Sequence, residues 1–110
     1  NPLAMLAGVE TIRIMEEDGL LDNAAQVGDH LRQSLTRSLQ GLAGIKDIRG
    51  QGLMLGIELD RPCGAIMSQA LEAGLLLSVT ADSVIRLVPP LIITAAEADA
   101  IVARIKAMVK

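Results

Sequence analysis

The stretch RGQGLMLGIEL, residues 49–59, decides the fold that this sequence predicts. In its second part apolar residues alternate with Met54, Gly56 and Glu58, so one face is apolar, formed by Leu53, Leu55, Ile57 and Leu59. A shorter apolar segment, Ile45 to Arg49, comes directly before it. The intervening Gly50-Gln51-Gly52 is typical of a turn, so we predict a β-hairpin with one buried face.

A second pair of strands is predicted downstream of this hairpin. Leu75 to Val79 and Val84 to Val88 are short apolar runs, and Ala81-Asp82-Ser83 between them is typical of a turn. Pro89-Pro90 has no N–H group to donate to a strand ladder, so the last strand must end there.

Four helices are predicted around these strands. The first starts at Asn1-Pro2 and runs to about Glu17, and the second runs from about Leu20 to Leu39. The third follows Arg61-Pro62 and ends at Gly74, and the Thr94 to Glu97 capping box opens the last. The order α-α-β-β-α-β-β-α predicts an α+β fold, a small antiparallel sheet with helices packed on one face. We expect residues 1–110 to form a single domain.

Apolar stripes on these helices predict which of their faces are buried. On the second helix the stripe is Ala24, Val27, Leu31, Leu35 and Leu39, and on the last it is Ala98, Ile101, Val102, Ile105 and Val109. On the third it is Ile66, Met67, Ala70 and Leu71. The first helix is apolar over a wider surface that includes Met5, Leu6, Val9 and Ile12, which predicts burial on more than one side.

Composition excludes several classes of function. The net charge is −3 with scattered cations and no aromatic residue, which argues against a nucleic-acid binder and predicts an aliphatic core. Cys63 is the one cysteine, so no intrachain disulfide is implied. No apolar run is long enough to span a membrane, and we expect a cytoplasmic protein.

Few residues have the chemistry of a catalytic or metal site. His30 is interpreted as a surface residue, because no Cys, Asp or Glu lies at ligand spacing on its helix face. Cys63 is interpreted as a packing residue, although a nearby helix N-terminus can activate a thiol. Gly50-Gln51-Gly52 fits no phosphate-binding motif. The lysines, Lys46, Lys106 and Lys110, have no apolar surroundings that would prepare one for covalent catalysis.

Two arginines remain as candidate binding residues. Arg86 faces away from Ile85 and Leu87, and its planar guanidinium matches a carboxylate. The pattern alone does not decide the partner of Arg86. A carboxylate of a ligand and a carboxylate of the chain itself, such as Asp82 or Glu58, fit equally well. Arg49 comes before the glycine turn and is interpreted as structural.

Four stretches stand in order along the chain: NPLA at 1–4, RGQGLMLGIEL at 49–59, GLLLSVTADS at 74–83 and VIRLVPPLI at 84–92. Together they resemble the C-terminal part of class III pyridoxal-phosphate-dependent aminotransferases. Within that family the acetylornithine subgroup is the most similar, and the succinylornithine, ornithine and 4-aminobutyrate subgroups are related alternatives. Ser78 stands where an asparagine is expected in the acetylornithine subgroup.

This resemblance implies that the chain is the C-terminal small domain of a homodimeric fold-type I enzyme of arginine biosynthesis. It further implies that Arg86 binds the α-carboxylate of both acetylornithine and 2-oxoglutarate, between which the enzyme transfers an amino group to give glutamate. The family's Schiff-base lysine and its pyridoxal-phosphate contacts are expected upstream of Asn1, in a large domain. No catalytic, cofactor-binding or metal-binding residue is therefore expected in this chain, which should not catalyse alone.

Two other hypotheses remain open from the sequence. The chain could be a separate module that binds an amino or keto acid through Arg86. It could also be an interaction domain, since the broad apolar surface of its first helix is typical of a partner surface.

Overall fold

The computed structural model describes residues 1–109, in which four helices and four strands follow the predicted order. The helices are α1 (Pro2–Glu17), α2 (Leu20–Leu39), α3 (Ile66–Glu72) and α4 (Ala95–Val109). The strands are β1 (Ile45–Gln51), β2 (Met54–Leu59), β3 (Ser78–Thr80) and β4 (Val84–Leu87). The predicted α+β class is confirmed.

The strands form one sheet in the order β1-β2-β4-β3, and every neighbouring pair is antiparallel. Ile57 pairs with Ile48 on β1 and with Ile85 on β4, so it lies at the centre of the sheet. One face of the two central strands is almost fully buried, formed by Leu55, Ile57, Leu59, Ile85 and Leu87. The period-two pattern of residues 53–59 thus predicts the buried face correctly.

Helices pack on that buried face. Helix α2 contacts β1, β2 and α4, and α3 contacts α4 and β3. Their buried residues join the strands in one aliphatic core, to which α2 contributes Val27, Leu31, Leu35 and Leu39 and α4 contributes Ala98, Val102, Ile105 and Val109. The predicted stripes of these two helices are confirmed, except that Ala24 and Ile101 are only half-buried.

A close approach of two glycines fixes α2 against the β1–β2 hairpin. A Cβ on Gly28 of α2 would lie 2.5 Å from the carbonyl carbon of Gly52 and still closer to its oxygen. Gly52 forms the hairpin turn with a φ of +55°, a conformation that favours glycine. Backbone therefore packs directly on backbone here, which sets the position of the hairpin relative to the helices.

Helix α1 extends away from this core. It contacts α2, yet none of its residues is buried, and Leu3 and Met5 are 75% and 71% exposed. The radius of gyration is 15.6 Å, whereas a compact domain of this size has about 13 Å. The prediction that α1 is buried on more than one side is therefore wrong within the described chain, because no other element covers its apolar surface.

Other predicted details also differ from the structure. Gly50 and Gln51 are not in a turn but pair with Leu55 and Met54 in the ladder, so β1 is longer than expected. Strand β3 begins at Ser78 rather than Leu75, and β4 ends at Leu87 rather than Val88. Leu75 packs into the core from the end of α3, where its N–H bonds the Ala70 carbonyl instead of a strand.

Helix α3 is shorter than predicted and uses a narrower face. It begins at Ile66 rather than near Pro62, and Gly74 follows its C-cap with a φ of +79°. Ile66 and Ala70 are buried as predicted, but Met67 and Leu71 are 45% and 63% exposed. A seven-residue helix that packs on α4 and β3 buries a single narrow stripe, so these two predictions are wrong.

The capping box at the start of α4 gives a first testable prediction. The Thr94 hydroxyl accepts a hydrogen bond from the Glu97 N–H at 3.2 Å, and Glu97 Oε1 accepts one from the Thr94 N–H at 3.1 Å. Thr94→Ala should lower the free energy of unfolding by about 1 kcal/mol, because one helix N–H loses its partner. Urea unfolding measures the change, and Thr94→Ser should restore most of it. Equal midpoints for Thr94→Ala and the unchanged chain would contradict this role.

No helix in the described part of the chain is long and apolar enough to cross a membrane.

Candidate functional site

The face of the sheet opposite the helices is open and forms a groove of about 680 Å³. Its walls and floor come from all four strands, and the lining residues are Arg49, Gly50, Gln51, Met54, Leu55, Gly56, Thr80, Val84 and Arg86. The groove therefore brings together the two arginines singled out from the sequence.

Strand pairing places these arginines in one row across the sheet. Gly56 on β2 pairs with Arg49 on one side and with Arg86 on the other, and Ser78 pairs with Arg86 beyond it. Gly56 has no side chain to separate the two guanidinium groups. A Cβ at this position would lie 3.4 Å from Val84 Cγ1, the limit of ordinary contact, so backbone crowding does not require the glycine.

Arg49 is neutralised by carboxylates within the sheet. Its Nη1 lies 2.9 Å from Glu58 Oε2 and 3.1 Å from Asp47 Oδ2. These hydrogen bonds, first that to Glu58 and then that to Asp47, raise the pKa of the Arg49 guanidinium above its ordinary value. This geometry supports the structural interpretation of Arg49.

Arg86 has no such partner. None of the ion pairs within residues 1–109 includes it, and the proposed internal partners are elsewhere: Glu58 pairs with Arg49 and Lys46. The one hydrogen bond of its side chain within these residues runs from Nε to the Ser78 hydroxyl at 3.1 Å, and the side chain is exposed. The charge of an exposed arginine without a carboxylate partner, on an open groove, remains available to attract an anion.

The backbone around Arg86 is held at three points. Strand β4 lies between β2 and β3, so Arg86 is flanked by paired strands on both sides. After Pro90 the chain is fixed by Asn23 of α2, whose Nδ2 donates to the carbonyls of Leu91 at 2.7 Å and Ile93 at 3.0 Å. Asn23 was not identified from the sequence as a positioning residue, because its partners lie 68 and 70 positions away.

His30 lies far from this groove but is not an isolated surface residue. Its Nε2 is 2.7 Å from Asp99 Oδ1, and this hydrogen bond joins α2 to α4. The carboxylate belongs to another helix, so the residues on the helix face of His30 give no sign of it. Among residues 1–109, no cluster of three or more His, Cys, Asp or Glu residues could hold a metal ion.

Cys63 is a packing residue, as predicted, and belongs to the buried core. Burial raises the pKa of its thiol above the ordinary value of 9.0, and the charge of Arg61 has a smaller, opposite effect. A raised pKa keeps the thiol protonated at neutral pH. The buried, protonated thiol contributes to the stability of the fold, and this contribution is lost as the pH rises through the folded-state pKa.

Cys63 should therefore react slowly with a thiol reagent at pH 7 in the folded chain and rapidly in urea, because only the thiolate is nucleophilic. The rate of reaction with a chromogenic disulfide measures this difference. Free cysteine in the same buffers serves as the control for the reagent. Equal rates for folded and unfolded chain would contradict the burial.

Two lysines, Lys46 and Lys106, lie within residues 1–109. Lys46 is exposed and lies 3.9 Å from Glu58, and Lys106 is exposed near the end of α4. Neither lines the groove that contains Arg86. Lys110 lies outside the described residues.

Comparison with known proteins places the chain in a family. Residues 1–109 match the sequence profile of the family described as aminotransferase class-III. The chain therefore belongs to the class III aminotransferases, a family of enzymes that use pyridoxal phosphate.

Among curated relatives, the chain is 52% identical over 110 residues to acetylornithine aminotransferase 1 of Bordetella bronchiseptica, covering all of this chain and 28% of that protein. It is 40% identical over 109 residues to acetylornithine aminotransferase of Nitrosomonas europaea, covering 99% of this chain and again 28% of the relative. The chain thus spans little more than a quarter of the length of these relatives.

Solved structures show the same fold. Ornithine aminotransferase from Plasmodium yoelii superposes with a TM-score of 0.94 at 32% identity, over 99% of this chain and 30% of that one. Acetylornithine aminotransferase from Elizabethkingia anophelis superposes with a TM-score of 0.88 at 27% identity, over 99% of this chain and 30% of the other.

Proposed function

We propose that this chain is the C-terminal small domain of an aminotransferase that moves an amino group from N2-acetylornithine to 2-oxoglutarate. The observation that carries the proposal is Arg86, an exposed guanidinium in an open groove without a carboxylate partner in residues 1–109. Arg86 binds the α-carboxylate of each substrate, and a planar guanidinium holds such a group with two parallel hydrogen bonds.

One arginine can serve both halves of the reaction. The amino donor and 2-oxoglutarate differ in their far ends, but each presents an α-carboxylate next to the carbon that gains or loses nitrogen. A fixed contact at that carboxylate places the reacting carbon at the same point in both half-reactions, which lowers the entropic part of the barrier. Pyridoxal phosphate, which the family uses, carries the amino group between them.

The rest of the enzyme is proposed to lie against the surfaces that this chain leaves bare. Leu76, Val88 and Ile92, near the ends of β3 and β4, are 84%, 61% and 71% exposed, and the apolar surface of α1 is uncovered as well. The curated relatives are more than three times as long as this chain, and in the proposal a large domain of that additional length covers these surfaces. In the proposal, that domain provides the Schiff-base lysine and the cofactor contacts.

The proposal extends to the setting of the enzyme. It includes assembly as a homodimer, a cytoplasmic location and a place in arginine biosynthesis, which are the expectations that the family resemblance carries. They are also compatible with a single, buried cysteine.

The amino donor distinguishes an acetylornithine aminotransferase from the related subgroups. Curated relatives named acetylornithine aminotransferase reach 52% identity, while the solved ornithine and acetylornithine aminotransferases have 32% and 27%. The experiment compares kcat/KM of the full-length enzyme for N2-acetylornithine, N2-succinylornithine, ornithine and 4-aminobutyrate, with 2-oxoglutarate as acceptor. The highest value is expected for acetylornithine. A higher value for any other donor assigns the chain to that subgroup instead, and no amino transfer at all would contradict the proposal.

A separate binding module is distinguished by calorimetry on the 110-residue chain. The proposed function predicts no saturable binding of 2-oxoglutarate, because the other walls of the binding site come from the large domain. Saturable binding without cofactor would favour the module.

A further inference from the structure

We propose that Ser78 is a positioning residue that orients Arg86 to bind the substrate carboxylate through its two terminal nitrogens. This inference deepens the proposed function and rests on the role given there to Arg86. Ser78 itself touches no substrate in this proposal, and it acts only through the arginine.

Strand pairing brings the two residues together. Ser78 is the first residue of β3 and pairs directly with Arg86 on β4, so both side chains project from the open face. The Ser78 hydroxyl accepts a hydrogen bond from Arg86 Nε at 3.1 Å. Directly paired residues of antiparallel strands have Cβ atoms about 5 Å apart, close enough for a short side chain to reach the inner nitrogen of an arginine.

This hydrogen bond restricts how the guanidinium can bind. An arginine can hold a carboxylate side-on, through Nε and one terminal nitrogen, or end-on, through both terminal nitrogens. Because the Nε–H group already donates to Ser78, Arg86 can bind a carboxylate with two hydrogen bonds only end-on, through its two terminal nitrogens. Because the guanidinium is planar, fixing Nε also limits rotation of the whole group.

The partner is neutral, which separates Arg86 from Arg49. Glu58 and Asp47 hold Arg49 in place and also cancel its charge. A serine hydroxyl orients the guanidinium without cancelling its charge, so Arg86 stays available to an anion. The same row of the sheet thus contains one arginine that is neutralised and one that is only oriented.

The test uses a matched pair of substitutions in the full-length enzyme. Ser78→Thr keeps the hydroxyl, and Ser78→Val has nearly the same shape as threonine without it, and both are good strand formers. Ser78→Val should raise the Michaelis constants of both acetylornithine and 2-oxoglutarate by about 3- to 10-fold, the usual worth of one hydrogen bond, with kcat within about twofold. Ser78→Thr should stay within about twofold, as should Ser68→Ala, an exposed serine on α3 far from the groove.

A double-mutant cycle shows whether Ser78 acts through Arg86. Lysine lacks the guanidinium fork, so in an Arg86→Lys background Ser78→Val should cause no further rise in either Michaelis constant. An independent, equal rise in that background would overturn the positioning role, and so would identical constants for Ser78→Thr and Ser78→Val. If Arg86→Lys alone leaves both constants unchanged, the proposed function of Arg86 fails first, and the two failures are thereby distinguished.

Discussion

Arg86→Ala in the full-length aminotransferase is expected to raise the Michaelis constants of both the amino donor and 2-oxoglutarate by about 30- to 1,000-fold. Loss of a charged bidentate partner costs about 2–4 kcal/mol, and each tenfold corresponds to about 1.4 kcal/mol. The parallel rise for two different substrates is the distinctive result, because they share only the α-carboxylate and the reacting carbon.

Steady-state kinetics with each substrate varied in turn measure this effect. Arg104→Ala is the matched control, since it removes an exposed arginine of α4, an element on the opposite side of the sheet from the groove. Unchanged Michaelis constants for both substrates would contradict the proposed role of Arg86 in binding them. A rise for one substrate alone would contradict a shared carboxylate site.

The second large effect concerns stability. Gly28→Ala should destabilise the chain by about 1–3 kcal/mol, because the new methyl group would overlap the Gly52 carbonyl and force helix and hairpin apart. Alanine favours a helix over glycine by about 0.5–1 kcal/mol. The cost of the overlap with Gly52 is expected to exceed this gain. The midpoint of urea unfolding of the 110-residue chain should therefore fall.

Gly8→Ala provides a matched control in α1. It makes the same change inside a helix, but nothing lies within 4 Å of the added methyl group. Its unfolding midpoint should stay equal or rise, since only the gain in helix propensity applies. If Gly28→Ala also unfolds at an equal or higher urea concentration, the close contact between α2 and the hairpin is not a constraint on the fold.

Periodicity in the sequence was sufficient for most of the fold. Alternation over residues 53–59 correctly predicted the buried face of β2, and the stripe from Val27 to Leu39 correctly predicted the buried face of α2. Both signals are local, because the period of a strand or a helix is visible within a short run of consecutive residues. The prediction of a strand at Leu75 was wrong because a local pattern shows only that an apolar residue is buried. It does not show whether the N–H group of that residue bonds a strand or the end of a helix.

The site could be predicted only in part. The sequence identified Arg86 and Arg49 as candidate binding residues. It did not decide whether Arg86 binds the carboxylate of a ligand or pairs with a carboxylate of the chain. Strand register distinguishes the two arginines, because it places Glu58 within hydrogen-bond distance of Arg49 and Ser78 within hydrogen-bond distance of Arg86. Register depends on contacts between residues distant in sequence, as do the His30–Asp99 and Asn23–Leu91 bonds, so no local pattern could have revealed them.

The sheet has a further consequence for how the protein behaves in a crowded cell. Strands at both borders leave N–H and C=O groups unpaired within the sheet, and such borders invite β-strand addition by other chains and aggregation. Here β3 is only three residues long, and β1 is interrupted by a register shift between Ile45 and Asp47 and carries charged side chains. Both borders are thus poor templates, which protects the strands that support Arg86 from pairing with a neighbouring molecule.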